Sequence, residues 1–167
     1  ISAIVDVTNY AMFDLNRPMH AYDADKLDGD IIIREAKNAE SFDALDEKKY
    51  KIPNGACLIT DKNKILGLGG VIGGQSSAIN LNTKNIVLEA AAFDPIKIAK
   101  VSKQLGIITD AKFRFERGVD PNSIEAGLKL AAKLIQDICG GKISKINISG
   151  DTKTKNKKIR FDTNNFE

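Results

Sequence analysis

Glu89 is the residue best placed by its neighbours to do chemistry. It lies within Ile86-Val87-Leu88-Glu89-Ala90-Ala91-Ala92-Phe93, and in a strand it shares a face with Val87 and Ala91. A carboxylate on such an apolar face must be paired, protonated or given a polar ligand. Two readings stand side by side: an ion pair with an arginine such as Arg114 or Arg117, or a fixed acceptor for the hydroxyl of a bound substrate. His20, the one histidine of the chain, follows Arg17-Pro18-Met19 in a turn. No serine–histidine–acid triad accompanies it in recognisable context, and a lone histidine is more often structural than catalytic.

The run Gly67-Leu68-Gly69-Gly70-Val71-Ile72-Gly73-Gly74 is the most unusual local composition. It fails the dinucleotide-binding fingerprint, because Ile72 stands where the third glycine belongs, and it lacks the Lys-Ser/Thr ending of a phosphate-binding loop. Composition favours tight turns and bulges between strands, where glycine tolerates unusual backbone angles. The alternative is a wall where backbone amides approach a small ligand. Phe113-Arg114-Phe115-Glu116-Arg117 mixes aromatic and charged residues, as an RNA-facing ribbon or a set of structural ion pairs would. Cys57, in a strand, and Cys139, in a helix, read as small buried hydrophobes.

The elements that must hold these residues are legible from punctuation. Ile31-Ile32-Ile33, Cys57-Leu58-Ile59-Thr60, Ile65-Leu66 and Ile86-Val87-Leu88 are β-like runs bounded by Gly, Asn or Asp. Asp94-Pro95 opens a helix that Gly106 stops, and Asp120-Pro121 opens a second that Gly140-Gly141 ends. Between the latter, Ile124, Leu128, Ala131, Ile135 and Ile138 form one apolar stripe at helical spacing. Ile146 and Ile148 alternate as in a final strand, and Ile159-Arg160-Phe161 resembles the start of another. Strands thus come mostly before the two main helices, which predicts an α+β domain, unlike a doubly wound fold.

Composition narrows the function. The 167 residues suffice for one domain with a core. Two cysteines are too few for a disulfide scaffold or a zinc knuckle, which points to a reducing, cytosolic setting. The apolar runs are too short to span a bilayer, so no membrane partner is expected. From Lys142 onward seven basic residues face three acidic ones, so this tail carries +4 of charge and residues 1–141, at −1, are nearly neutral. A domain that gripped nucleic acid through its own phosphate contacts would show a basic face. Residues 151–167 read as a polar, lysine-rich linker and the start of a following module, and the abrupt ends are those expected of an excised fragment.

Several blocks together resemble one family: the central B3/B4 domain of the β chain of bacterial phenylalanyl-tRNA synthetase. They are Asp6-Val7-Thr8-Asn9-Tyr10, Pro18-Met19-His20-Ala21-Tyr22-Asp23, Gly69-Gly70-Val71-Ile72-Gly73-Gly74, Asn85-Ile86-Val87-Leu88-Glu89 and Phe93-Asp94-Pro95. The last runs from Thr109-Asp110-Ala111 through Arg114-Phe115-Glu116-Arg117-Gly118-Val119-Asp120-Pro121. The match covers residues 1 to about 150 in one order. It implies an α+β domain of mostly β layers, sandwich-like in the B3/B4 manner, with flanking helices.

The resemblance also implies an activity: hydrolysis of tyrosine wrongly attached to the phenylalanine tRNA. Glu89 occupies the position similar to the family's reader of the tyrosine hydroxyl. His20, Asn9, Gly73, Thr109 and Ala111 occupy positions similar to the other walls, with Asn9 or His20 helping to position a water and no metal. The resemblance further implies an α-chain partner in a heterotetramer of two α and two β chains, the acceptor end of tRNA(Phe), and ATP and magnesium for the whole enzyme elsewhere. A non-catalytic RNA- or protein-binding scaffold is the rival expectation. One departure stands out: the family usually has glycine after the Leu-Asp corresponding to Leu45-Asp46, where this chain has Glu47. That change is expected to alter a turn and leave the pocket alone.

Overall fold

The computed structural model describes residues 2–150 and 158–160. Among the described residues, eight short strands and four α-helices follow one another in an order that explains the layers. Helix α1 (Ala3–Leu15) leads into β1 (Met19–Asp23), and β2 (Ile32–Glu35), β3 (Ser41–Asp43), β4 (Lys49–Lys51), β5 (Cys57–Thr60), β6 (Ile65–Leu68) and β7 (Ile72–Gly73) follow. Strand β8 (Ile86–Ala90) then precedes α2 (Pro95–Leu105), α3 (Asp110–Phe115) and α4 (Ile124–Cys139). The expected α+β class, with strands mainly before the two long C-terminal helices, is what the structure shows.

The strands form an antiparallel sheet in the order β2-β5-β6-β7, a ribbon of β1 with β8, and the β3-β4 hairpin. Alternation along the ribbon sends its two faces to different cores. Met19 and Leu88 pack against Val7 and Ala11 of α1 and Ala131, Leu134 and Ile135 of α4. Tyr22 and Val87 face the opposite way, onto Ile59 and Leu66 of the central sheet. The far side of that sheet carries Leu58 and Leu68, which join Ile98, Ile107 and Phe115 in the largest core.

Local chemistry sets the helix ends. The Asp94 carboxylate accepts from the Ile96 and Lys97 amides, Pro95 fits the first turn, and Gly106 takes a left-handed conformation at φ 67°. Thr109 caps α3 by accepting from the Lys112 amide. The start expected at Asp120-Pro121 is a single 3-10 turn, Pro121–Ser123, before α4 begins. In the α4 stripe Ile138 is 61% exposed; Ala131, Leu134 and Ile135 join Val7 and Ala11 of α1, and Gly127 lies against Arg17 and Met19.

Other expectations need correcting. Helix α1 occupies residues to which the β-like runs and helix punctuation assigned no element; Ser2 caps it and Asn16 ends it in the left-handed region two residues before Pro18. Residues 141–149 form no strand, and Ile143 and Ile148 are exposed, since no sheet edge pairs with them. Cys57 is half-buried, whereas Cys139 is exposed at the last residue of α4. The expected linker and Ile159-Arg160-Phe161 strand start fall largely outside the described residues.

One buried cation ties the ribbon to the helices. Arg17 is 0% exposed. It donates to the Ala91 carbonyl at 2.8 Å, to the Ser123 hydroxyl at 2.6 Å and to the Asp120 carbonyl. It thereby links the start of β1, the end of β8 and the approach to α4. Arg17→Ala leaves those acceptors without a partner and opens a cavity, so a loss of about 3 kcal/mol or more is expected in denaturant unfolding. A loss below about 1 kcal/mol would contradict the role. Glu47 stands at φ 64° in the β3-β4 turn. Glu47→Gly is expected to raise the unfolding free energy by about 1 kcal/mol, and a decrease would contradict strain at that position.

Candidate functional site

The β1-β8 register sets His20 directly across from Glu89, and Tyr22 across from Val87. Directly paired residues share a face, as do residues two apart on one strand. His20, Tyr22 and Glu89 therefore converge on the side of the ribbon that faces the central sheet. Together with Gly67, Gly73, Phe93, Ala111 and Phe115 they line a cleft of about 80 Å³. Its walls are mostly aromatic or aliphatic, and its polar groups come from the ribbon.

The Tyr22 hydroxyl donates to Oε2 of Glu89. Tyr22 is 1% exposed, and burial beside a carboxylate pushes its phenol far above the usual range. Burial also raises the Glu89 carboxyl, an effect the hydrogen bond from Tyr22 opposes. Neither arginine considered from the sequence reaches it. Arg114 pairs with Asp110 at 3.2 Å and Arg117 with Glu116 at 2.6 Å, while Lys112 meets Glu116 at 2.8 Å. Phe113-Arg114-Phe115-Glu116-Arg117 is helical through Phe115, and its charges form structural ion pairs. Glu89 thus faces the cleft with a phenol for a partner and, among the described residues, no cation.

His20 packs edge-on against Tyr22, with ring centroids 4.5 Å apart. Its Nε2 is buried without a hydrogen-bond partner, and burial pushes the imidazole pKa down to about 4. The ring is therefore neutral near pH 7. Gly73 makes room for it: a Cβ there would lie 2.5 Å from Cε1 and 2.9 Å from Nε2 of His20. The neighbouring glycines are constrained by packing as well, since a Cβ on Gly69 would meet Phe93 at 2.8 Å and one on Gly74 the Leu66 carbonyl oxygen at 2.9 Å. The glycine run is both a set of close approaches and one wall of the cleft.

The other sequence-derived residues divide. Ala111 lines the cleft from the first turn of α3. Thr109 does not line it; its hydroxyl donates to the Val71 carbonyl at 2.7 Å while capping α3, so it anchors the helix that presents Ala111. Asn9 is exposed on α1 and is also absent from the lining. Tyr22 is the residue that sequence reasoning did not single out, although its alternation with His20 puts both on one face. The Glu47 turn lies closer to the site than expected, because the neighbouring Leu45 amide donates to the Gly73 carbonyl at 3.0 Å.

A roomier groove of about 680 Å³ lies elsewhere, lined by residues that include Arg34, Glu40, Asp61 and Lys64. Those charges already satisfy one another: Arg34 meets Glu40 at 2.6 Å, and Asp61 accepts from the Asp28, Asn63 and Lys64 amides. Size alone does not make it the reactive site. The small cleft holds the polar groups without charged partners. Among the described residues no group of three His, Cys, Asp or Glu side chains could hold a metal ion, and no helix is long and apolar enough to cross a membrane.

Residues 1–140 match the model of the B3/4 domain, and the chain belongs to that family. It is 47% identical over 162 residues to the phenylalanine--tRNA ligase beta subunit of Wolbachia sp. subsp. Brugia malayi (strain TRS), covering 97% of this chain and 20% of that protein. It is 42% identical over 161 residues to the protein of the same name from Mesorhizobium japonicum, covering 96% and 20%. With that of Brucella suis biovar 1 the identity is 41% over 150 residues, covering 90% and 19%. The chain spans about one fifth of the length of these curated relatives.

The low His20 pKa has a signed consequence. In the unfolded chain the imidazole binds a proton near pH 6.5, whereas the folded chain resists it until about pH 4. The contribution is complete above about pH 6.5 and is lost as pH falls toward 4, with a limit on the order of 3 kcal/mol. Unfolding of the native domain and of His20→Asn, measured at pH 7 and pH 4.5, is expected to show a steeper acid loss in the native domain. Equal losses would contradict the burial of an uncharged imidazole.

Proposed function

We propose that this domain edits aminoacyl-tRNA, hydrolysing tyrosine misattached to tRNA(Phe) within a phenylalanyl-tRNA synthetase β chain. The observation that carries the reading is Glu89: a carboxylate facing an aromatic-walled cleft with no cation beside it. Tyrosine differs from phenylalanine by one hydroxyl, and an apolar pocket rejects an added hydroxyl by only about a hundredfold. A second site must therefore select for that hydroxyl. Glu89 does so by accepting its proton in a hydrogen bond, worth about 1.5–3 kcal/mol when the acceptor is charged. Phenylalanine offers no such donor and would leave the carboxylate desolvated, so the correct product is spared.

The ester is cleaved by water in this reading. His20, neutral near pH 7 and a weak base, orients and polarises the water and does not remove its proton outright. Asn9, exposed on α1 and outside the lining, is assigned no step in this hydrolysis. Gly73 admits His20 to the cleft wall, Ala111 keeps space for the aromatic ring, and Thr109 holds α3 so that Ala111 stays in place. We assign ATP and magnesium to the ligation reaction of the whole enzyme, outside this chain. Its partners are an α chain, in a heterotetramer of two α and two β chains, and the acceptor end of tRNA(Phe), and its setting is the cytosol.

The test is deacylation by the intact synthetase. Glu89→Ala is expected to lower kcat/KM for tyrosyl-tRNA(Phe) by roughly ten- to a hundredfold and to leave slow phenylalanyl-tRNA(Phe) hydrolysis little changed. Unaltered tyrosyl-tRNA hydrolysis in a folded variant would overturn the proposal.

A further inference from the structure

We propose that Tyr22 is a positioning residue for recognition of a phenol: its hydroxyl fixes one oxygen of Glu89 and leaves the other for the hydroxyl of the bound amino acid. This rests on Glu89 being the reader of tyrosine. Tyr22 donates to Oε2 of Glu89, and the two residues lie diagonally across the β1-β8 ribbon. A carboxylate can accept several hydrogen bonds, so one phenol from the protein does not block a second from the ligand. The Tyr22 ring cannot swing away easily, because it is buried against Ile59 and Leu66 and bears the edge-on contact of His20.

The arrangement serves two ends. It holds the carboxylate in one orientation before the ligand arrives, which reduces the entropy lost on binding. It also favours the ionised form against the burial that disfavours it. A protonated Glu89 would accept the ligand hydroxyl more weakly, so removing Tyr22 should weaken recognition most at low pH.

The groups facing Glu89 make this pH dependence attributable. From β1 they are His20 and Tyr22, and from β5 Cys57. Strands β6 and β7 contribute Gly67, Leu68, Ile72 and Gly73, and α3 contributes Ala111 and Phe115, none of which titrates. His20 titrates near pH 4, while burial pushes the Cys57 thiol and the Tyr22 phenol upward.

The experiment uses the intact synthetase carrying Tyr22→Phe or Glu89→Gln, with tyrosyl- and phenylalanyl-tRNA(Phe) as substrates across pH 5.5–8.5. Tyr22→Phe is expected to lower kcat/KM for the tyrosyl substrate about tenfold at the acid end, chiefly through KM. The ratio of variant to native rate should climb as pH rises, and the phenylalanyl substrate should not share the effect. An infrared difference spectrum, with Glu89→Gln to identify the band, is expected to show Glu89 protonated at higher pH in Tyr22→Phe. An unshifted Glu89 band with an unchanged tyrosyl-to-phenylalanyl ratio would overturn the proposal, even if the variant is less stable. If Glu89→Gln abolishes tyrosyl hydrolysis while Tyr22→Phe matches native, this inference alone fails. If Glu89→Gln also matches native, the editing role assigned to Glu89 fails with it.

Discussion

A carboxylate held in an apolar cleft by a phenol, with no cation to neutralise it, is the constraint around which this domain is organised. Glu89 can occupy its place only because β8 pairs antiparallel with β1 in the register that brings Tyr22 within reach. A shift of one residue would turn Glu89 into the α1-α4 core, where Leu88 and Met19 now pack. The ribbon is therefore pinned from both sides: α1 and α4 bury one face, Ile59 and Leu66 meet the other, and Arg17 ties its end to the loop before α4.

The cleft's shape follows from what the backbone omits. Gly73 lets His20 lie against β7, and Gly69 lets Phe93 close on the sheet. Each removes a side chain where an aromatic ring needs space. The result is a narrow apolar slot with two polar groups on one ribbon face: the Glu89 carboxylate, bonded through Oε2 to Tyr22, and His20 Nε2, buried without a hydrogen-bond partner. Their chemistry differs: one is a carboxylate that favours a donor, the other a neutral imidazole able to orient a water. The division suits the editing role proposed for the site, with one group to recognise a side chain and one to place a water.

Much of this was legible in the sequence wherever the cause is local. Asp94-Pro95 and Gly106 bound α2 because capping is settled within a few residues. The inward aim of Glu89 follows from alternation along one strand. Its partner was not legible, since Tyr22 and Glu89 are 67 positions apart and only strand pairing joins them. The Arg114 and Arg117 alternatives failed because α3 coils that segment, and their carboxylate partners lie within four positions. Helix α1 was obscured because its buried positions include Thr8 among apolar residues, although Val7, Ala11 and Met12 keep a helical spacing. Ile146 and Ile148 show the converse: alternation makes a strand only where an edge is free to pair. The Asn9 and Thr109 assignments came from resemblance; both lie outside the lining, and Thr109 shows that a motif can include a residue that supports a wall without forming it.

The central claim is that Glu89 receives the hydroxyl of tyrosine while still bonded to Tyr22. It is tested most directly by a crystal structure of the intact synthetase with a non-hydrolysable 3′-tyrosylamido-adenosine analogue. The account expects the ligand ring in the cleft among Phe93, Gly73 and Ala111, its hydroxyl within about 3 Å of Glu89 Oε1 and the Tyr22 bond to Oε2 retained. An analogue bound with its hydroxyl away from Glu89, or outside this cleft, would contradict it.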